Sequence, residues 1–548
     1  MSTFYIQQFG CRATQADGAA LERQLLDRGC TPASNSSAAA IVVLNTCTVT
    51  AAADAQARDA IRKIHAQNPA ARVIVTGCYA QRAPEELAAL PGVTWVVGNS
   101  HKPQIPKLVD SLSSNSSSRD SNNLVPTAAL IPDFVDVPFP SFVRAGLAPL
   151  AALVRAPEEQ TVIPSGARNL LFPMAPAAAN SHLAPILTGD IFAHPEFLSA
   201  PIQGGEFHHT RPILKIQDGC NNRCSFCVIP YVRGKSRSLP PDSVIREIQA
   251  LTAEHPASEP ANAKVPQPIL AVHSPAREIV LSGINLGTYG RDLTPRVEFL
   301  GLIRRILDET QLDRLRISSI EPQDVTQDLI DLFAKTDRIA QHFHMPLQSA
   351  SDRILAAMHR WYRAEHYARR VEIIHDRLPN AAIGADVIAG FPGETESDHT
   401  ATLSFIERLP FTYLHVFSYS PRPGTKAAAM PDQVPTPIIK RRARELRALS
   451  EAKSAAFRHS QINRTLRVLT LHRAESADTE HLGSGHQRTE YTPALSSNYL
   501  RVQVPGIYPS NEWLDVAVTS EEGNYLLGEP ASSCSEFSVT SAFSESSV

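Results

Sequence analysis

The sequence predicts an α/β protein with three parts: an N-terminal doubly wound parallel sheet domain, a central (β/α) partial barrel and a small C-terminal β-barrel. Three observations predict it. Apolar runs of three to five residues alternate with helical periods over the first 110 residues. The same alternation resumes over residues 211 to 433 after a Pro- and Ser-rich interruption. Short strand-like runs follow a basic helical segment near the end. The 548 residues suffice for three or four domains at roughly 150 residues each. A composition of 43% hydrophobic and 20% charged residues excludes fibrous and wholly disordered classes.

In the first part, Phe4-Tyr5-Ile6 predicts a strand, and Ala20, Leu21, Leu25 and Leu26 mark a helix over residues 14 to 28. Ile41-Val42-Val43-Leu44 reads as a buried strand, followed by an Ala-rich helix over 52 to 67. Val73-Ile74-Val75 and Trp95-Val96-Val97 complete the series. In such a sheet ligands gather beyond the carboxyl ends of the strands. Cys11, Cys47 and Cys78 each lie two to five residues past a strand, so three loops would bring one thiol each to one rim.

Residues 111 to 208 read as a low-order linker or insertion, opening on a Ser/Asn run and carrying 12 prolines over 112 to 208. A loop insertion is expected at about 255 to 276, with five prolines. Between and after them, six strands are expected at Ile213–Gln217, Glu278–Leu281, Arg314–Ser318, Phe343–Pro346, Ala382–Ile388 and Tyr413–Phe417. Helices over Arg296–Glu309 and Arg363–Arg377 are the clearest crossovers, and the chemistry of such a barrel sits at the carboxyl ends of its strands. Residues 434 to 462 predict a basic helix; 434 to 473 hold ten Lys/Arg against two Glu, a local charge of +8. A β domain over 463 to 528 and a disordered tail over 529 to 548 complete the chain.

The formal charge of −3 excludes a basic nucleic-acid coat, although the +8 region could track phosphates or form a solvated face. No export signal or membrane-spanning stretch is read, so a cytoplasmic protein is expected, and its eight cysteines point to metal or redox use. Cys220, Cys224 and Cys227 form a C-x3-C-x2-C triplet after a predicted strand. Structural zinc takes four ligands and no fourth follows nearby, whereas a 4Fe–4S cluster on three thiolates leaves one iron open. A three-Cys zinc or electron-transfer site is the alternative. Cys30 and Cys534 match no pattern and are read as incidental.

This triplet resembles that of the radical S-adenosylmethionine (SAM) enzymes. Phe9-Gly10-Cys11, Asn45-Thr46-Cys47-Thr48-Val49-Thr50 and Gly77-Cys78-Tyr79-Ala80-Gln81 resemble the second cluster's motifs in the methylthiotransferases of that superfamily. The resemblance continues in Leu281–Gly287, Ser318–Pro322, His344–Ser349 and Ala385–Glu394. It implies two 4Fe–4S clusters, on Cys220, Cys224 and Cys227 and on Cys11, Cys47 and Cys78, with SAM as methyl donor and radical source. It further implies Phe226, Gly283, Glu321, Gly390 and Phe391 as SAM neighbours, and no catalytic side chain beyond the cluster ligands. Asp386 is expected to face either the cavity or a helix.

The C-terminal β domain resembles the RNA-binding TRAM module, with Tyr491, Tyr499 and Arg501 as candidates for its surface or, equally, core or rim residues. The implied substrate is tRNA at its anticodon loop, and the implied electron donor a flavodoxin or ferredoxin. Thr48-Val49-Thr50 resembles the branch that adds a methylthio group to C2 of N6-threonylcarbamoyladenosine at position 37. The isopentenyladenosine and ribosomal-protein branches are alternatives, and a non-catalytic RNA-binding iron–sulfur sensor is the reading from another class.

Overall fold

The computed structural model describes residues 2–114, 183–193, 197–198, 202–204, 209–254, 275–472 and 490–531. Most of the expected insertions at 111–208 and 255–276, most of the tail, and Cys534 lie outside these residues. The chain forms two compact units. The first comprises Met1–Leu198, Gly219–Lys235 and Ser420–Ala429; the second comprises the remaining segments.

In the first unit, β1 (Thr3–Gln8), β2 (Thr31–Pro32), β3 (Ile41–Thr46), β4 (Arg72–Gly77), β5 (Val93–Gly98) and β6 (Ile186–Leu187) form one sheet. Its order is β2-β1-β3-β4-β5-β6 and every neighbouring pair is parallel. Helices cover both faces because alternate side chains of one strand point opposite ways. On one face, α1 (Arg12–Leu26) and α5 (Ile105–Ser114) bury Leu21, Leu25, Ile105 and Val109 against Phe4, Val43, Ile74 and Val97. On the other, α2 (Ala51–Gln67), α3 (Cys78–Arg82) and α4 (Pro84–Ala88) pack against Val42, Leu44, Val73 and Val96. Strand β6 was not foreseen: Ile186 and Leu187, within the expected linker, extend the sheet beside β5. The unit also contains α6 (Ile229–Arg233).

The second unit opens with β7 (Ile202–Gly204), β8 (His209–Asp218) and β9 (Arg237–Ser238). Strands β8, β10 (Glu278–Gly283) and β11 (Arg314–Ile317) are parallel neighbours, as are β12 (His342–His344), β13 (Ala382–Ala389) and β14 (Tyr413–Ser418). An isolated parallel bridge, Leu315 to Ile339, links the two groups. The six expected strands are therefore present in series. Between them run α7 (Pro241–Thr252), α8 (Phe299–Glu309), α9 (Gln327–Lys335), α10 (Asp352–Ala357), α11 (Ala364–Arg377) and α12 (Glu396–Arg408). Their apolar faces cover Leu214, Ile216, Ile279, Leu281, Leu315, Ile317, Phe343, Ile383 and Leu414. The opposite face carries Lys215, Gln217, Glu278, Arg314, Arg316, His342, His344, Asp386, Tyr413 and His415. A polar face on otherwise apolar strands is what a reactive concave surface requires.

After α13 (Thr436–His459), β15 (Thr465–Thr470), β16 (Tyr491–Ser496), β17 (Arg501–Pro505), β18 (Trp513–Glu522) and β19 (Tyr525–Pro530) close a five-stranded barrel. Strand β19 runs two residues into the expected tail. Val468, Val502, Val504, Val516 and Leu526 fill the barrel.

Candidate active site

The chain places Cys11 three residues after β1, Cys47 directly after β3 and Cys78 directly after β4. These strands are adjacent and parallel, so their carboxyl ends deliver three thiols to one rim. Gly10 permits the approach. Its φ is +92°, and a Cβ there would sit 2.6 Å from the Cys47 sulfur. Gly77 (φ +102°) does the same before Cys78, where a Cβ would lie 2.3 Å from the Thr46 carbonyl oxygen. Cys47 and Cys78 are buried and Cys11 is exposed. Burial, then the neighbouring Cys78 and Cys11 thiols, push the Cys47 thiol up to about 12.

Two buried charge networks surround this rim. Asp17 accepts hydrogen bonds from Lys102 Nζ at 2.8 Å and Arg233 Nη2 at 3.1 Å. Lys102 also donates to Asn45 Oδ1, and Arg233 to Thr14 Oγ1, which lies 3.6 Å from the Cys11 sulfur. Burial pulls the Lys102 ammonium down despite Asp17. The second acid, Asp54, meets Arg82 at 3.1 Å and Arg422 at 2.5 Å, and Arg82 donates to Thr48 Oγ1. Two carboxylates thus face four cations. The surplus of positive charge favours thiolates and an anionic group held by them.

The triplet Cys220, Cys224 and Cys227 belongs to the same unit. A tight turn orders it: Cys227 N–H donates to Cys224 O at 3.1 Å, and Asn222 N–H reaches the Cys220 sulfur at 3.4 Å. Gly219, at φ +70°, starts the turn. Helix α6 follows, and its Val232, with Val228, buries against Cys78. Asn99 Nδ2 donates to Val232 O at 2.8 Å and lies 3.5 Å from the Cys78 sulfur. The early trio is therefore gathered, not dispersed, and shares a compact unit with the later one.

Of the expected SAM neighbours, Phe226 is half-buried in the first unit, and the others lie in the second. Gly283 ends β10, and a Cβ there would sit 3.0 Å from Gln217 Oε1, the acceptor for Asn285 N–H. Glu321 is half-buried and paired with Arg360; desolvation pushes its carboxyl up. Gly390, at φ +80°, donates its N–H to Glu394 Oε2 at 2.8 Å, and α13 closes over it through Ile439. Phe391 is fully buried, edge-to-face with Tyr419 at 5.7 Å.

Asp386 takes the concave face. Its Oδ1 lies 3.0 Å from His344 Nε2 and 3.4 Å from His415 Nδ1. Burial alone would raise its carboxyl, but hydrogen bonds from the two imidazoles outweigh it and hold it well below the usual range. Tyr413 Oη bridges His344 Nδ1 and His342 Nε2. His342, Tyr413 and His415 were not singled out from the sequence, although the polar alternation of His342/His344 and Tyr413/His415 was a usable signal.

Most of the side chains read as RNA candidates have partners within the protein. Seven of the ten Lys/Arg in 434–473 have partners within the protein. Arg441 and Arg442 pair with Glu396, and Arg442 also with Glu394 at 2.7 Å. Lys453 and Arg447 donate to backbone carbonyls, Arg458 faces Glu521, Arg464 donates to Asn380, and Arg467 lies over Trp513. The helix thus uses most of its charge to hold itself to the sheet unit. Tyr499 is likewise no exposed reader: it stacks on His342 at 4.4 Å and under the Arg316 guanidinium. Tyr491 is half-buried and Arg501 exposed.

A family model described as Uncharacterized protein family UPF0004 matches residues 3–98, and one described as Radical SAM superfamily matches residues 270–406. Threonylcarbamoyladenosine tRNA methylthiotransferase MtaB of Aquifex aeolicus is 30% identical over 465 residues, covering 85% of this chain and 92% of that protein. The protein of the same name from Bacillus subtilis is 30% identical over 95% of this chain and 98% of its own length. The tRNA-2-methylthio-N(6)-dimethylallyladenosine synthase of Moorella thermoacetica is 28% identical over 89% and 90%.

Proposed function

Because the chain belongs to the tRNA methylthiotransferase family of radical SAM enzymes, we propose that it adds a methylthio group to C2 of N6-threonylcarbamoyladenosine at tRNA position 37. The observation that carries this reading is the gathering of Cys11, Cys47 and Cys78 at three adjacent strand ends, in one unit with the C-x3-C-x2-C turn. An enzyme that only made radicals would need the turn alone.

The donor sets fit iron–sulfur clusters: three free thiols each, with buried cations beside Cys11, Cys47 and Cys78. Cys220, Cys224 and Cys227 would hold one cluster and leave a position for SAM, while Cys11, Cys47 and Cys78 would hold the other. Bound there, the clusters and SAM supply the radical, the sulfur and the methyl group that side chains cannot. The chain's own residues do the rest. Asp17 and Asp54 fix four cations beside the thiols, and the sheet's helices shield Cys47 and Cys78 from water. Phe226, Gly283, Glu321, Gly390 and Phe391 would be the SAM neighbours.

Among the described residues no helix is long and apolar enough to cross a membrane. A cytoplasmic location and a flavodoxin or ferredoxin as electron donor belong to the same proposal. Mass spectrometry of tRNA nucleosides from a knockout strain, with and without the gene restored, tests the substrate. Restoration of 2-methylthio-N6-threonylcarbamoyladenosine is expected. Restoration of the isopentenyl product instead would move the chain to the dimethylallyl branch. No methylthio product and no 5′-deoxyadenosine would favour the non-catalytic sensor.

A further inference from the structure

The six-residue link between α10 and α11 presents Trp361 to solvent with 80% of its surface exposed. Topology fixes where it stands. Strands β12 and β13 are parallel neighbours, so α11 is the returning leg and starts at the carboxyl-end rim. Side chains anchor the link there on both sides of the indole. Arg360 pairs with Glu321, just past β11, and Tyr362 Oη donates to the carbonyls of Pro346 and Leu347, just past β12, at 2.7 and 2.9 Å. Asp352 Oδ1 accepts from Ala364 N–H at 2.8 Å and ties down the start of α11. Both neighbours of Trp361 are thus fixed inward while the indole itself faces water.

Exposed cations lie close to the indole in sequence. Arg363 and Arg369 are exposed and Arg370 half-exposed, and none has an ion-pair partner among the described residues. Glu365 is the acid of the first turn of α11. An exposed aromatic on an anchored link, two residues before an exposed Arg363, combines the two elements that hold single-stranded nucleic acid: a stacking plane and a phosphate contact. A protein partner would bury such an indole in a pocket of its own and gain nothing from the loose cations, unless it were acidic.

We propose that Trp361 is the stacking platform for an unpaired anticodon-loop base flanking the modified adenosine, with Arg363 taking an adjoining phosphate. This rests on the tRNA reading above and deepens it. Stacking is sequence-tolerant, so the rim would hold a neighbour of the target base without selecting its identity.

The test uses the reconstituted holoenzyme and an anticodon stem–loop RNA that lacks only the methylthio group. Trp361→Ala should weaken RNA affinity by about 10-fold, and Trp361→Phe should recover most of it, with the unfolding midpoint unchanged in both. Arg363→Ala should reduce the slope of log K against log salt by about 1. Unchanged affinity in Trp361→Ala overturns the proposal. So does an affinity that is unchanged while reduction by an added acidic flavoprotein slows, which would make the rim a protein contact. A wild-type enzyme that fails to bind the stem–loop would strike the tRNA reading itself, a separable result.

Discussion

Replacing Gly10 by alanine would put a methyl carbon 2.4 Å from Cβ of Cys47, in a backbone conformation at φ +92° that alanine resists. The loop must then move, taking Cys11 with it. Reconstituted Gly10→Ala protein is expected to hold about four irons per chain where the parent holds about eight, measured together with acid-labile sulfide. Asp17→Asn tests the other requirement at the same rim. It leaves Lys102 and Arg233 buried without their shared carboxylate, which should cost about 3–5 kcal/mol in denaturant unfolding. Asp398 offers a pH signature. Burial pushes its carboxyl up, but hydrogen bonds from Ser351 and Thr395 prevail and hold it at about 2. Its folded value lies below the unfolded value of about 3.9, so its stabilisation is complete above that pH and is lost as pH falls toward 2. The stability gap between the parent and Asp398→Asn should therefore close between about pH 4 and 2 in acid titrations.

At the scale of elements, α13 shows how a charge count can mislead. Its guanidinium groups suggested a phosphate track, yet Arg442 is buried against Glu394, whose other bond holds the Gly390 N–H. Arg442→Ala should cost about 3 kcal/mol, read as a lowered denaturation midpoint, and leave the salt dependence of RNA binding unchanged. Sequence periodicity sees which residues are charged; only tertiary packing decides whether an acid on α12 reaches them. The strands were legible for the opposite reason. Ile41–Leu44 is an apolar run, and Ala382–Ile388 one interrupted only by Gly384 and Asp386, whose length and β-branching admit few alternatives. The cysteine loops were legible because strand ends point where ligands bind, so three spacings sufficed to gather three sulfurs. Asp17, Lys102 and Arg233 were not: they lie 216 positions apart at the extremes and follow no period. The motif Thr48-Val49-Thr50 has local duties of its own, Thr48 accepting from Arg82 and Thr50 capping α2. Those duties would suit either nucleoside branch.

At the scale of the whole molecule, the terminal barrel is built into the sheet unit. The turn from Ser496 to Leu500 sits at the amino ends of β10 to β13. Arg314 donates to Leu495 O, Arg316 to the carbonyls of Ser496 and Ser497, and Asn498 to Asn380 O. Beneath it Glu278, fully buried, faces Arg211, Arg314 and Arg316, whose charges outweigh burial and hold its carboxyl far below its usual range. Tyr499→Ala removes the ring between His342 and Arg316 and should cost about 3 kcal/mol, seen as a single shifted unfolding transition. The turn thus acts as a stopper. Cutting the chain after α13 to obtain an RNA-blind enzyme would pull that stopper and flood an acid and three guanidiniums. A truncated protein's silence would then record a leaking floor, whatever its grip on nucleic acid.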